Sequence, residues 1–314
     1  MSRTSVLVLK GGPDAEREVS LRSGGRVAQA LRDDGTFDVI ELAIDAPTAD
    51  ELAQLQGDVV FPVLHGPWGE GGPLQELLEA AGRPFVGCGS AAARIAMDKA
   101  ATKTIAARAG VPTPRARVLR RGDELDLEPP VVIKPSNDGS SVDLFVCKDR
   151  AEIDRALATA FTRRELMLAE EFITGREITV GWLNGRALPI VEIVPADGLY
   201  DYEAKYVRKD TRYVLDPELP AGVAERAQAA TVEVCRALGC RHISRVDFMV
   251  DDRGPWMLEV NTMPGMTDTS LVPKAAAHAG LPFPALCRTL VECALGDRAR
   301  GDRGDRARER ARTS

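Results

Sequence analysis

The chain has no C-x-x-C pair, no long apolar run and no excess of positive charge. Its six cysteines, Cys88, Cys147, Cys235, Cys240, Cys287 and Cys293, are scattered. That spacing suits neither a zinc site nor a disulfide framework and reads as reduced core cysteines. No stretch approaches the length of a membrane helix, and the apolar run at 6–9 is too short for a signal peptide. The expectation is a cytoplasmic protein with no membrane partner. A formal net charge of −6 gives no support to nucleic-acid binding. The rest is ordinary for a globular protein: 314 residues, 44% apolar and 28% charged, enough for two or three domains with real cores.

Strands are expected at 6–9, 37–43, 58–63 and 84–86, with helices from Ser20 as N-cap to about Leu31 and over 74–81. Strands alternating with helices argue for a parallel sheet covered on both faces. An alanine-rich helix over 91–109 is stopped by Gly110-Val111-Pro112-Thr113-Pro114, and a domain boundary falls near there. Strands follow at 131–134, 144–147, 167–172 and 177–183, with a helix over 150–160 among them. A helix over 221–238 carries Val223, Ala227, Ala230, Val234 and Leu238 on one stripe, and another helix starts at about Leu271. From Gly296 the chain is rich in Asp and Arg with almost no apolar residue. It reads as a frayed helix end or disordered tail that folding can do without, a basic interaction tail being the alternative.

The strongest chemical signal lies in Arg245-Val246-Asp247 and Glu259-Val260-Asn261, separated by an Asp251-Asp252-Arg253-Gly254 turn. Apolar runs around such a turn read as a β-hairpin, with Asp247 opposite Glu259 and Arg245 opposite Asn261. Strand alternation then points Glu259 and Asn261 the same way. Three oxygen ligands without His or Cys suit a hard cation such as Mg²⁺, and the arginine beside them can clamp an anion. A solvated acidic hairpin is the competing reading.

Four other segments look chemical. Lys134 ends an apolar strand before Pro135-Ser136-Asn137-Asp138-Gly139-Ser140-Ser141, a phosphate-type loop that is not a Walker A sequence. Glu170-Glu171-Phe172-Ile173, with Glu177 after it, could present backbone groups to a purine and a carboxylate to a ribose, or be an exposed acidic edge. The segment 200–206 holds three of the four tyrosines in a polar stretch, a lid or a set of packing rings. His65-Gly66-Pro67-Trp68-Gly69-Glu70 follows a strand, where open α/β sheets bind ligands; a lone histidine is equally read as structural. Glu16 could reach the same crevice.

Taken in order, these segments resemble the D-alanine–D-alanine ligases of the ATP-grasp superfamily. The matching motifs run from Lys10 to Pro273: Gly11-Gly12 with 15–20, the His65–Glu70 loop, Met97-Asp98-Lys99, Lys134-Pro135-Ser136, Gly139-Ser140-Ser141-Val142, 200–206, the hairpin pair with Thr262, Pro264-Gly265-Met266-Thr267, and Ser270-Leu271-Val272-Pro273. The resemblance implies a three-domain α/β ATP-grasp fold. Residues 1–90 would form an N-terminal substrate-binding domain, 91–180 a central domain, 181–296 a C-terminal domain, and 297–314 a polar tail. ATP would lie between the central and C-terminal domains. Lys99, Lys134 and Lys205 would meet the ATP phosphates beside Ser140 and Ser141. Glu170, Glu171 and Ile173 would take adenine, and Glu177 the ribose. Asp247, Glu259 and Asn261 would bind two Mg²⁺, with Mn²⁺ as substitute. Glu16 would hold the ammonium of the first D-alanine, with His65 and Gly265 at the substrates and Ser270 and Leu271 at the second amino acid's carboxylate. Ser140 and Tyr206 would join Glu16 in a link that closes the site, and Arg245 would act on the transferring phosphoryl and the tetrahedral intermediate. A homodimer is implied. Asn137-Asp138 stands where many family members carry a basic and an acidic residue, and Glu171 where a lysine is common. The intact 200–206 segment looks like the dipeptide-forming enzymes rather than the D-lactate-using ones. Relatives that use D-serine or D-lactate, or a module that binds nucleotide without catalysis, are the competing functions.

Overall fold

Alternation along the first strand sets the N-terminal layers. In a computed structural model, which describes residues 3–138, 143–195 and 211–312 and the side chains of the closing helix as far as Asp297, β1 (Ser5–Gly11) lies between β2 (Asp38–Ile44) and β3 (Val59–Pro62) in a parallel sheet. Val6 and Val8 face Val27 and Leu31 of α1 (Arg17–Asp34). Leu7 and Leu9 face the other way. They meet Leu52 of α2 (Ala49–Gln54) and, past the short α3 (Gly66–Gly69), Leu74 and Leu78 of α4 (Pro73–Ala80). Both faces of the sheet are covered, as period-two burial requires. The expected strand at 84–86 is reduced to a single bridge, Val60 to Phe85.

Two local expectations give way to better use of the same residues. α1 starts at Arg17, not at Ser20. The buried Ser20 hydroxyl accepts from the Gly11 amide at 2.8 Å and donates to the Val63 carbonyl, tying together the chain ends beyond β1 and β3. The helix expected over 91–109 breaks at Asp98 into α5 (Ser90–Met97) and α6 (Lys99–Arg108). Asp98 leaves the helical region (ψ 101°) and its carboxylate accepts from the amides of Ala100 and Ala101 at 2.9 and 3.1 Å. A second helix thus begins with its own cap, and it carries Lys99 and Lys103 one turn apart, both buried.

The remaining strands form antiparallel sheets. β4 (Ala116–Leu119), β5 (Val131–Pro135), β6 (Phe145–Cys147) and β7 (Met167–Glu171) pair in the order β4-β7-β5-β6, with α7 (Arg150–Ala160) packed on them. β8 (Arg176–Leu183), β9 (Arg186–Val194), β10 (Arg212–Leu215), β11 (Ile243–Val250) and β12 (Pro255–Asn261) pair in the order β10-β9-β8-β11-β12. The stripe foreseen on α8 (Val223–Leu238) is its buried face, against Ile178, Val180, Val246 and Phe248. α9 (Leu271–His278) covers the opposite face, and α10 (Phe283–Arg312) packs on α9, α1 and β3. There Val191 and Ile193 share one apolar cluster with Leu271, Leu286 and the β1 valines, so this sheet and the N-terminal one are joined through a common core. Among the described residues no helix is long and apolar enough to cross a membrane.

The polar end, expected as a frayed helix end or a disordered tail, continues α10 to Arg312. Its first part is fastened. His242 is buried, with φ 59°, and its Nδ1 accepts from the Gly87 amide at 3.0 Å. The ring proton therefore sits on Nε2, which donates to Asp297 Oδ2 at 3.0 Å. Asp297→Ala strips a buried donor of that acceptor, at a cost of about 1–3 kcal/mol. Urea unfolding should show this loss in Asp297→Ala and in a chain cut after Gly296. Equal stability in both variants would return the segment to the status of a dispensable tail.

Candidate active site

The hairpin forms in the register its turn implies. Arg245 lies across from Asn261 and Asp247 across from Glu259, and the register shifts only after Asp247. The turn is closed by Asp251, whose Oδ1 accepts from the Arg253 and Gly254 amides and from Trp256 Nε1 at 2.9, 3.2 and 2.8 Å. Arg245 and Asp247 share a strand face. The guanidinium donates from Nε and Nη2 to the two Asp247 oxygens at 2.9 and 2.8 Å, and the Thr179 hydroxyl of β8 adds a third bond at 2.5 Å. Glu259 stands 3.4 Å from the Lys99 ammonium, and Asn261 Oδ1 accepts from the Met263 amide at 3.0 Å. Two carboxylates and an amide oxygen make a donor set that fits a hard divalent cation, and their negative charge is balanced within the protein by Arg245 and Lys99. Among the described residues no three His, Cys, Asp or Glu side chains gather into a metal-type cluster.

A cavity of 940 Å³ opens beside this hairpin face. Arg245, Glu259 and Asn261 form one wall, with Lys99 and Asp138 next to them. Glu16, His65 and Glu70 come from the connections after β1 and β3. Another end is formed by the loop before α9, with Gly265 and Ser270, and by Leu271 at the helix start. That loop is held from outside: the Met266 amide donates to Ser23 Oγ at 3.3 Å and Arg26 Nη1 donates to the Met266 carbonyl at 3.0 Å. Ser270 Oγ accepts from the Thr267 amide at 2.9 Å, and a Cβ on Gly265 would lie only 2.9 Å from that oxygen, so glycine lets the loop fold this tightly. Arg22, Arg26 and Lys274 make this end basic; the Lys274 ammonium lies 4.6 Å over the Tyr213 ring.

The His65–Glu70 turn contributes two neutral groups. Asp14 Oδ2 shapes it by accepting from the Trp68 and Gly69 amides at 2.8 and 3.1 Å. His65 is buried, and its Nε2 has no hydrogen-bond partner among the described residues. Burial brings its pKa down to about 4, against the opposing pull of a hydrogen bond at the Met263 backbone. Glu70 accepts from the Gly66 amide at 3.1 Å through Oε1, while Oε2 is buried without a partner among the described residues. Burial lifts its pKa to about 8; the Gly66 bond works against this, and Glu16 adds to it. At neutral pH it is a carboxylic acid. The sequence marks this turn as a His and a Glu on a glycine-rich loop after a strand; that burial leaves both neutral is visible only in the fold.

Several expected residues stand apart from the cavity. Lys134, Glu170, Glu171, Ile173, Glu177 and Asp247 do not line it. Glu170 is 2% exposed, and its carboxylate pairs with Lys134 and with Lys103, the latter at 2.8 Å. Burial disfavours the charge, but Lys134 and Lys103 hold this carboxyl below its usual range. Glu171 is half-exposed, 3.7 Å from Arg253. Ile173 is buried, and Glu177 lies on β8 across from Met249. Lys103 was missed, although its place one turn after Lys99 was a cue. Ser140, Ser141, Lys205 and Tyr206 lie outside the described residues.

Comparison with known proteins gives a consistent outcome. Residues 45–88 match the family described as D-ala D-ala ligase N-terminus, and residues 111–292 match D-ala D-ala ligase C-terminus. The chain is 42% identical over 294 residues to the D-alanine–D-alanine ligase of Syntrophotalea carbinolica, covering 93% of this chain and 96% of that one. It is 44% identical over 300 residues to the enzyme of the same name from Dinoroseobacter shibae, covering 93% and 96%. Among solved structures, the Bacillus anthracis D-alanine–D-alanine ligase complexed with ATP superposes with a TM-score of 0.84 at 32% identity, covering 96% of this chain and all of that one (100%). The VanG D-Ala:D-Ser ligase of Enterococcus faecalis superposes at 0.82 with 28% identity, covering 93% and 100%. The architecture is the ATP-grasp fold.

The two neutral groups make stability depend on pH. The Glu70 carboxyl titrates at about 8 when folded against 4.5 when unfolded, so the folded state holds the extra proton and stability falls as pH rises between those values. His65, at about 4 against 6.5, does the reverse, and stability rises with pH across its window. Between about 6.5 and 8 only the Glu70 effect of this pair remains. Ligand-free protein should therefore lose stability over that interval, and Glu70→Gln should flatten the curve, in urea unfolding at constant salt. A wild-type curve already flat there would mean that Glu70 is ionised in the folded protein.

Proposed function

This chain belongs to the D-alanine–D-alanine ligase family, and from that premise we propose that it uses ATP to join two D-alanine molecules into D-alanyl-D-alanine, a peptidoglycan precursor. The observation that carries the reading is the convergence, on one cavity, of Glu16, the Lys99–Arg245–Glu259–Asn261 wall, and Ser270 and Leu271. A carboxylate is a poor electrophile, so the first D-alanine needs its oxygen phosphorylated by ATP. The amine of the second D-alanine then attacks the acyl phosphate, and phosphate leaves.

In this reading Glu16 holds the first substrate's ammonium, and neutral His65 and Glu70 offer polarity there without adding charge. Ser270, Leu271 and the basic side chains around them take the second carboxylate. Lys99 and Lys134 neutralise ATP phosphates, and Arg245 steadies negative charge on the transferring group and the tetrahedral intermediate. Asp247, Glu259 and Asn261 are the residues that would hold Mg²⁺, two ions or Mn²⁺ in their place, which supplies charge neutralisation to the phosphates. Glu170, Glu171, Ile173 and Glu177 remain the adenine and ribose candidates, and Ser140, Ser141, Lys205 and Tyr206 complete the set. The same reading carries a cytoplasmic homodimer and three domains divided near residues 90 and 180. A ligase that takes D-serine second is kept as the alternative by the likeness to a D-Ala:D-Ser ligase.

The test is ADP release with product identification across D-alanine, D-serine, D-lactate and L-alanine. One dipeptide per ADP with D-alanine, and none with L-alanine, is expected; ADP release that ignores D-alanine would overturn the reading. Glu259→Gln should lower kcat by about 100-fold or more with little change in melting temperature, since its side chain is 28% exposed and its ion pair with Lys99 is loose. Asp247→Asn should cost stability as well, because Asp247 is buried against Arg245 and Thr179. Near-normal turnover in Glu259→Gln would remove it from the cation site.

A further inference from the structure

The two lysines on Glu170 are not equivalent. Lys103 Nζ donates to the Thr113 hydroxyl at 2.6 Å and the Pro114 carbonyl at 3.3 Å, and stands 2.8 Å from Glu170 Oε2 as an ion pair. Two of the three N–H donors of its ammonium are thus committed to the protein frame. Its partners are themselves fixed, because Thr113 donates to the Met257 carbonyl at 2.8 Å and the Met257 amide donates to the Pro112 carbonyl at 2.8 Å. Lys134, at the end of β5, has Glu170 as its one ion-pair partner among the described residues and no neighbour holding its ammonium as Thr113 and Pro114 hold that of Lys103. The nest is buried, with Lys103, Lys134 and Glu170 at 6, 7 and 2% exposure. It holds two cations against one carboxylate.

We propose that Lys103 is a positioning residue for nucleotide binding: it holds Glu170 and compensates its charge, so that Lys134 can turn from Glu170 to a phosphate oxygen. This rests on the reading of the chain as an ATP-dependent ligase. A buried carboxylate that loses its last cation is strongly destabilised. With Lys103 present, Glu170 keeps a partner when Lys134 moves. Without it, Glu170 retains Lys134, and nucleotide must compete with a buried ion pair.

The experiment is calorimetric binding of a non-hydrolysable ATP analogue with MgCl₂ to the full chain. Lys103→Met should raise Kd at least about tenfold, while the KM for D-alanine shifts less than about twofold. Lys103→Arg, which keeps a cation beside Glu170, should recover most of the loss. If Lys103→Met fails to fold, Lys103→Gln, which keeps hydrogen bonding without charge, carries the same measurement. A merely structural lysine would lower the melting temperature and leave Kd alone, or show no recovery in Lys103→Arg; either outcome overturns the inference. Wild-type protein that binds the analogue but forms no dipeptide would sink the ligase reading and leave this one standing. An unchanged Kd in Lys103→Met alongside normal wild-type dipeptide synthesis would do the opposite.

Discussion

Side chains on paired antiparallel strands leave alternately to either face, so once Asp247 lies across from Glu259 the whole hairpin is committed. Arg245 must then stand beside Asp247 on the same strand face, and Asn261 must follow Glu259. A slip of one residue would turn these groups to the opposite face and bring Val246 and Val260, core residues under α8, into their place. The Asp251 carboxylate prevents the slip by closing the turn on three N–H groups. Lys99 then meets Glu259 because the cap at Asp98 starts a new helix at the right place.

Charges in the site are paired before any ligand arrives. Asp247 has Arg245, Glu259 has Lys99, and Glu170 has two lysines. Such pairing keeps buried ions tolerable, and it means that a bound polyphosphate exchanges partners rather than filling an empty field. His65 and Glu70 follow a different course. Neither has a charged partner at hydrogen-bond distance among the described residues, and burial neutralises both, from opposite directions.

The parts visible in the sequence were those set by local rules. The hairpin register followed from apolar runs and an Asp/Gly turn, and the α8 stripe from its helical period. Asn184-Gly185, a two-residue turn with φ of 44° and 92°, announced the β8–β9 hairpin in the same way and was passed over. What escaped was non-local. Ser20 looks like a helix cap because serine commonly caps, and only the folded chain brings Gly11 and Val63 to its hydroxyl. Lys103 is unremarkable on its own, and nothing nearby in sequence pairs it with Glu170; burial between β5, β7 and α6 makes them a unit. Asp297 lies in an Arg-rich stretch without apolar residues, and nothing nearby in sequence points to His242.

The loop that ends at Ser270 follows the C-terminal sheet in sequence but is gripped by Ser23 and Arg26 of α1. The boundary that divides the chain by sheets therefore cuts across the pocket. Recombination between relatives at such a boundary would part the loop from the helix that shapes it. A chimera designed to exchange acceptor preference has to carry α1 and residues 262–271 together, as one inherited block.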